Sequence, residues 1–309
     1  MLFAGIDIGT LTCRLLIGRV AGDDRLTEVH SDRRILRLGE GVDRDRLLRP
    51  DAIARVVETL RDWRTVINSH HVEAQIAVAT SAVRNARNRE EFLGRVMQEV
   101  GFEIEVISGE EEARRTLLGI RSGLPAGVTT ILGLDIGGGS TEFILDRPGQ
   151  APVIRSIEIG VVRLTERLLT SDPPTADQIQ SVRELIQKET EQIRTLLGEL
   201  HSTTFVGTAG SITTLAAMAQ KLTTYEPIRI HNYRLSLETI RGLEREILSR
   251  TKAQRREMPG LEAGREDVVV AGTLILQTVM ETLGFSEGLV SDVGLREGIL
   301  LDLAARLQR

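Results

Sequence analysis

A glycine-rich segment near the middle of the chain has the residue types of a phosphate-binding loop. Gly137, Gly138 and Gly139 follow one another and precede the hydroxyl residues Ser140 and Thr141. Without side chains, consecutive glycines let backbone N–H groups converge on phosphate oxygens, and the two hydroxyls add further donors. The alternative is a tight hairpin turn, for which two glycines would suffice. We therefore predict that residues 137–141 bind a phosphate group.

Carboxylates flank this segment at Asp135 and Glu142. Acidic side chains beside a phosphate are unfavourable unless a cation lies between them, and Mg²⁺ prefers carboxylate oxygens, waters and substrate phosphates as ligands. Asp7 occupies the place in an earlier, similar segment that Asp135 occupies here. We predict that Asp135, Glu142 and Asp7 hold Mg²⁺ or Mn²⁺, with the two aspartates facing each other across a cleft.

The similarity between the two segments extends over their surroundings. Residues 3–18 and 130–145 each read as an apolar strand, an Asp, a glycine-containing turn and a second apolar strand, which is the pattern of a β-hairpin. P-loops and Rossmann loops lead into a helix, so a different phosphate loop is indicated. The chain therefore contains a degenerate internal repeat, and Thr10 in the first turn is a second candidate phosphate ligand.

A third glycine-bearing segment lies at residues 205–214, after a short apolar stretch with β-type character. It too can expose backbone amides to a ligand. We predict that Gly207, Gly210 and Ser211 contribute to phosphate binding.

Three consecutive glutamates, Glu110 to Glu112, begin a predicted helix. Most charge runs are solvated helix faces, and two of these residues have such structural roles. Ser108 can cap the helix with Glu111 as its capping-box partner, and Glu110 can pair with Arg114 one turn later. Glu112 is left without a structural role, so it is the candidate general base that takes a proton from an attacking water.

Arg84, Arg87 and Arg89 follow a polar turn at Thr80 and Ser81. Guanidinium groups can grip phosphate oxygens and stabilise charge on a transferred group. A solvated loop is an equally good interpretation of Arg87 and Arg89. Arg84 is the predicted catalytic arginine.

Composition excludes several other classes of function. The net charge is -5 and aromatic residues make up 3% of the chain, so nucleic acid is not an expected partner. The apolar runs are much shorter than the about 18 residues of a membrane span, and no secretory signal begins the sequence, so the cytoplasm is the expected location. Cys13 lies in an apolar run and is expected to be inert, and no Cys/His cluster has zinc-ligand spacing.

With 309 residues, the chain is expected to form about two domains. The pattern between the hairpins is mixed α/β, with a helix over residues 51–68, a strand at 75–79, an amphipathic stretch at 90–100, a strand at 103–107 and a helix from Gly109. A long helix follows Pro174, and the crossover between halves is expected near residues 121–128.

Together, these motifs resemble the exopolyphosphatase and guanosine pentaphosphate phosphatase family. The resemblance covers nearly the whole chain and is carried by ordered segments at residues 7–10, 80–88, 107–114, 135–142, 160–166, 207–211, 258–261 and 291–298. It implies an α/β fold of the two-lobed, actin-like and sugar-kinase-like class (ribonuclease H-like), with an interdomain cleft. The expected lobes are residues 1–124 and 125–293, with a helix at about 294–309 packing back on the first. Longer members carry a further carboxy-terminal helical region, so the short, two-domain form is implied.

The resemblance also implies roles for individual residues. It makes Glu112 the catalytic base, places Asp135 and Glu142 at the metal and water site, puts Gly137 in the phosphate loop and Arg84 on the substrate phosphates. The implied reaction is hydrolysis of the terminal phosphoanhydride of polyphosphate or guanosine pentaphosphate. A homodimer is the oligomeric state to be tested. Leu11 departs from the family pattern, which has Asn at this position of the first turn.

Two other functions remain open at this stage. An actin-like-fold phosphotransferase would pass a phosphoryl group from ATP to a small acceptor, or from polyphosphate to ADP. A non-catalytic sensor would bind guanosine pentaphosphate without hydrolysing it, although a protein that only binds this nucleotide has no need of a general base.

Overall fold

The computed structural model describes residues 1–21 and 25–308. The chain divides into two compact units, the first formed by Met1–Ser122 together with the segment that starts at Val293, and the second by Gly123–Asp292. Within the described residues, no helix is both long and apolar enough to span a membrane.

The first unit is a mixed sheet with helices. Its strands are β1 (Leu2–Ile8), β2 (Thr12–Val20), β3 (Leu26–Ile35), β4 (Ala74–Ala79) and β5 (Ile104–Val106). Its helices are α1 (Val42–Asp45), α2 (Pro50–Ser69), α3 (Ser81–Asn85), α4 (Arg89–Glu99), α5 (Gly109–Gly123, ending at the start of the second unit) and α13 (Leu295–Leu307). The strands lie in the order β3-β2-β1-β4-β5, with β1 antiparallel to β2 and parallel to β4.

The second unit has the same kind of architecture. Its strands are β6 (Ile131–Ile136), β7 (Thr141–Asp146), β8 (Val153–Ile157), β9 (Thr204–Thr208), β10 (Tyr233–Ser236) and β11 (Glu287–Val290). Its helices are α6 (Val161–Arg167), α7 (Ala176–Leu197), α8 (Ala209–Ala219), α9 (Pro227–Ile230), α10 (Leu237–Leu248), α11 (Lys252–Arg255) and α12 (Val269–Leu283). The sheet order is β10-β11-β9-β6-β7-β8.

The two sheets share one topology, which confirms the predicted internal repeat. In the first, β1 pairs antiparallel with β2 and parallel with β4, which in turn pairs parallel with β5. In the second, β6 pairs antiparallel with β7 and parallel with β9, which pairs parallel with β11. Strand β10 is the addition at the edge of the second sheet. The two predicted hairpins are β1-β2 and β6-β7, and their turns lie at equivalent places.

Helices cover both faces of the first sheet. The helical spacing of apolar residues after Pro50 buries Ile53, Val56 and Leu60 of α2 against one face, in a cluster that includes Trp63. On the other face, leucines of α13 pack against apolar residues of β1 and β2. This sheet is therefore covered by apolar packing on both faces.

Candidate active site

The two carboxylates beside the glycine loop are neighbours in the second sheet. Asp135 on β6 lies directly opposite Glu142 on β7 in the antiparallel register, so both side chains share one face. Their relative exposures are 7% and 1%. Glu142 Oε1 accepts a hydrogen bond from Ser156 Oγ at 2.8 Å. Two buried carboxylates side by side repel each other unless a cation or proton offsets their charge.

This pair fits a magnesium-type ion. Among the described residues, no group of three or more His, Cys, Asp or Glu side chains is arranged to hold a metal. The protein's share would thus be one or two carboxylates, with the remaining ligands supplied by waters and phosphate oxygens, which is the usual arrangement for Mg²⁺. Oxygen donors also suit Mn²⁺, whereas a zinc site would need nitrogen or sulfur ligands.

The glycine loop between these carboxylates is held by its carbonyl oxygens. The N-terminal turn of α6 supplies the donors, in the bonds Val161 N to Gly137 O at 3.1 Å, Val162 N to Gly138 O at 2.8 Å and Arg163 Nε to Gly139 O at 3.1 Å. Thr141 Oγ1 donates to Ile159 O at 2.6 Å. The carbonyl oxygens, which would repel phosphate, are therefore bound to the protein.

The approach of α6 to this loop depends on Gly160. A Cβ at this position would lie 2.4 Å from Gly138 O, closer than real Cβ contacts come. Only a glycine lets the chain pass here, so the segment before α6 and the loop are matched in shape.

The third glycine segment is the connection from β9 to α8. Asp135 and Thr208 are partners in the parallel register, so this connection begins at the same edge of the sheet as the acidic pair. Gly207 lies inside β9, where its carbonyl accepts from Ser291 N at 2.7 Å and a Cβ would collide with Ile212. Its lack of a side chain is explained by packing. Gly210 and Ser211 lie in the first turn of α8.

A buried arginine that the sequence analysis did not identify lies beside this turn. The guanidinium of Arg265 packs against Gly210, where a Cβ would be 2.4 Å from one of its Nη atoms. Arg265 is 4% exposed, and its Nε donates to Glu262 Oε2 at 2.6 Å. Arg163 was also missed. Both residues lie far along the chain from the loops they contact, so no local pattern marks them.

In the first unit, the structure brings Glu112 and Arg84 together. Glu112 is in the first turn of α5 and is 8% exposed, and Arg84 is on α3 after β4. Arg84 Nη1 donates to Glu112 Oε2 at 3.2 Å and to Ile107 O at 2.8 Å. The arginine is thereby fixed by a backbone carbonyl while it orients the carboxylate.

The neighbouring Glu111 is instead paired with two arginines. Glu111 accepts from Arg114 at 2.7 and 2.8 Å and from Arg115 at 2.6 Å, and the Arg114 hydrogen bonds, with Arg115, lower the pKa of Glu111 to about 2 against the opposing effect of burial. A carboxyl group with this pKa stays ionised and is a poor proton acceptor.

Two details of the sequence argument require correction. The predicted pair of Glu110 with Arg114 is wrong, because Arg114 binds Glu111 and Asp302 while Glu110 is exposed. Ser108 Oγ does accept from Glu111 N at 3.1 Å, but the Glu111 carboxylate binds the two arginines. Without that pair, elimination no longer separates Glu112 from Glu110. What distinguishes Glu112 is that it is buried and contacts Arg84, whereas Glu110 is exposed.

The first hairpin turn differs from the second in its charges. Asp7 on β1 lies opposite Arg14 on β2, in the place where Asp135 faces Glu142, and Arg14 Nη1 is 3.5 Å from Asp7 Oδ2. The cross-strand neighbour of Asp7 is therefore a cation, whereas that of Asp135 is a second carboxylate. Thr10 is buried in this turn, and its carbonyl accepts from Gly39 N at 2.8 Å. Leu11, the departure noted above, is a core residue.

Comparison of the sequence with known proteins places the chain in a phosphatase family. The profile of the Ppx/GppA phosphatase family matches residues 16–307. The chain belongs to this family. A curated relative is exopolyphosphatase 2 of Mycobacterium tuberculosis, which is 37% identical over 316 residues, covering 97% of this chain and 98% of that protein.

Solved structures of the Ppx/GppA family have the same fold. The crystal structure of the Aquifex aeolicus family member is 32% identical, with a TM-score of 0.85 over 100% of this chain and 99% of that one. An exopolyphosphatase from Cytophaga hutchinsonii is 27% identical, with a TM-score of 0.91 over 99% and 98% of the two chains. The predicted α/β fold with two related units is confirmed by these structures and by the repeated sheet topology.

Proposed function

We propose that this Ppx/GppA protein is a cytoplasmic phosphohydrolase that removes the terminal phosphoryl group of inorganic polyphosphate or guanosine pentaphosphate. Its membership in a phosphatase family and its similarity to exopolyphosphatases support the reaction class. The observation that carries the proposal is the carboxylate of Glu112, buried and oriented by Arg84 beside a helix start.

In the proposed reaction, a water oxygen attacks the terminal phosphorus in line with the bridging oxygen. The new P–O bond forms as the bridging P–O bond breaks, and Glu112 takes a proton from the water. The products are phosphate and a chain shortened by one phosphate. Arg84 binds the oxygens of the transferred group and offsets the charge that develops on them.

The proposal also assigns residues that hold the substrate phosphates. In the second unit these are the backbone N–H groups of Gly138 and Gly139, the hydroxyl of Ser140, and the turn with Gly210 and Ser211, where Gly207 has only a shaping role. Gly137 N–H donates to Ser140 O and the Thr141 hydroxyl donates to Ile159 O, so these two groups shape the loop and do not bind phosphate. Thr10 is a further proposed phosphate ligand.

Asp135 and Glu142 would hold the divalent ion, and Glu142 would also orient the attacking water. Asp7 is left out of this ligand set, because Arg14 lies beside it and no group of three acids in the described residues is arranged to hold a metal. When bound, Mg²⁺ or Mn²⁺ neutralises phosphate charge and polarises the phosphoryl oxygens.

The test is phosphate release from both substrates in the presence of Mg²⁺ by wild type, Glu112→Gln and Glu110→Gln. Glu110 is a matched control because it lies in the same turn of α5 and is exposed. We expect Glu112→Gln to lose about a hundredfold or more in kcat while Glu110→Gln stays within about twofold.

Two outcomes would replace the hydrolase proposal. If no phosphate is released while wild type and Glu112→Gln both bind guanosine pentaphosphate, the protein is a sensor. If ATP forms from polyphosphate and ADP without net phosphate release, it is a phosphotransferase.

A further inference from the structure

Two arginines of the first unit, Arg46 and Arg87, are adjacent in space although they are distant in sequence. The backbone N–H of Arg87 donates to Arg46 O at 2.8 Å. One residue further, the side-chain amide of Asn88 binds both backbone groups of Leu48, at 2.8 and 3.0 Å. These three hydrogen bonds clamp one segment to the other, so the backbones that carry the two arginines are held side by side.

Within the described residues, 1–21 and 25–308, no carboxylate forms an ion pair with either arginine of this pair. Arg46 and Arg87 are both exposed. Their neighbours differ. Arg44 binds both carboxylate oxygens of Asp45, at 2.8 and 2.7 Å, and Arg89 binds Glu90 at 3.1 Å. The nearest acids in sequence are thus engaged by other arginines, and two positive charges remain for an external anion.

The pair also lies close in the chain to the proposed chemistry. Arg87 follows α3, the short helix that carries Arg84, and Arg84 contacts Glu112. The segment that bears Arg87 therefore continues directly from the residue proposed to bind the reacting phosphoryl group.

We propose that Arg46 and Arg87 form an outer subsite for the phosphates of inorganic polyphosphate beyond the reacting terminus. This inference rests on the proposed function and specifies its substrate as a long phosphate chain. Polyphosphate carries a negative charge on every internal phosphate, so two guanidinium groups carried on hydrogen-bonded backbone segments complement its repeating charge. Because both arginines are exposed, the interaction is screened by salt.

The experiment compares two double variants that remove the same charge. Arg46→Gln/Arg87→Gln removes the unbalanced pair, and Arg44→Gln/Arg89→Gln removes two exposed arginines, each two positions away, that are already ion-paired. KM and kcat are measured with long-chain polyphosphate and with tripolyphosphate, at low and high salt.

For Arg46→Gln/Arg87→Gln we expect KM for the long chain to rise about five- to twentyfold at low salt, with kcat within about twofold. The increase shrinks at high salt and is at most about twofold for tripolyphosphate. The control double variant changes KM by less than about twofold. Arg46→Lys/Arg87→Lys, which keeps both charges, recovers most of the affinity.

An equal rise of KM for both substrates, or the same rise in the control variant, overturns the inference. If the glutamine double variant does not fold, the single variants carry the same test, each with an expected rise of about threefold. If wild type releases no phosphate from any substrate, the proposed function fails, and direct binding of long-chain polyphosphate decides the inference. Equal affinities of wild type and both double variants would then refute it.

Discussion

Arg163 offers a test of whether the glycine loop is positioned by the helix behind it. Its Nε donates to Gly139 O at 3.1 Å, its guanidinium also binds Glu158, and the residue is 8% exposed. In Arg163→Gln this charged donor is lost, while the Gly139 carbonyl stays buried against α6. A hydrogen bond from a charged group contributes about 1.5–3 kcal/mol. Glu158 is half exposed and can be rehydrated, so most of the loss falls on the loop.

If this lost hydrogen-bond free energy raises the free energy of the transition state bound at the loop, kcat/KM falls about ten- to hundredfold, since each 1.4 kcal/mol is a factor of ten. The assay is steady-state phosphate release from polyphosphate, with denaturant unfolding measured in parallel. Arg167→Gln, an exposed change on the same helix, is the control. Arg163→Lys keeps the charge but not the planar geometry and should recover only part of the activity.

The reasoning fails if Arg163→Gln lowers the unfolding free energy but leaves kcat and KM as in wild type. That result would show that the residue stabilises α6 without setting the position of the loop.

Two further predictions concern charge. The folded-state pKa of Glu111 is about 2 and its ordinary value is 4.5, so the ionised carboxylate stabilises the folded protein fully above roughly pH 5, and this contribution is lost as the pH falls toward 2. The difference in unfolding free energy between wild type and Glu111→Gln should therefore shrink over that range. A difference that stays constant with pH would contradict the assignment. Removal of divalent ions with a chelator should abolish phosphate release, and Glu142→Gln should raise the Mg²⁺ concentration needed for half-maximal rate at least about tenfold; activity that survives chelation would exclude the metal role of Asp135 and Glu142.

Local sequence patterns determined the elements and most of the candidate residues. The glycine turns between apolar runs predicted both hairpins, because strand and turn signals are short-range. The helical spacing after Pro50 predicted α2, and its apolar residues are buried. Glu112 emerged by elimination although one premise, the Glu110–Arg114 pair, was wrong. That pair failed because Asp302, on the distant α13, and Glu111 bind Arg114 more closely.

The tertiary structure alone decided which side chains meet. Arg84 contacts Glu112, Arg265 packs against Gly210, and Arg46 adjoins Arg87 only because the sheets and their connecting helices bring distant segments together. Such contacts depend on strand order and helix packing, which are set by burial of the whole apolar surface and leave no mark at the individual residues in the sequence.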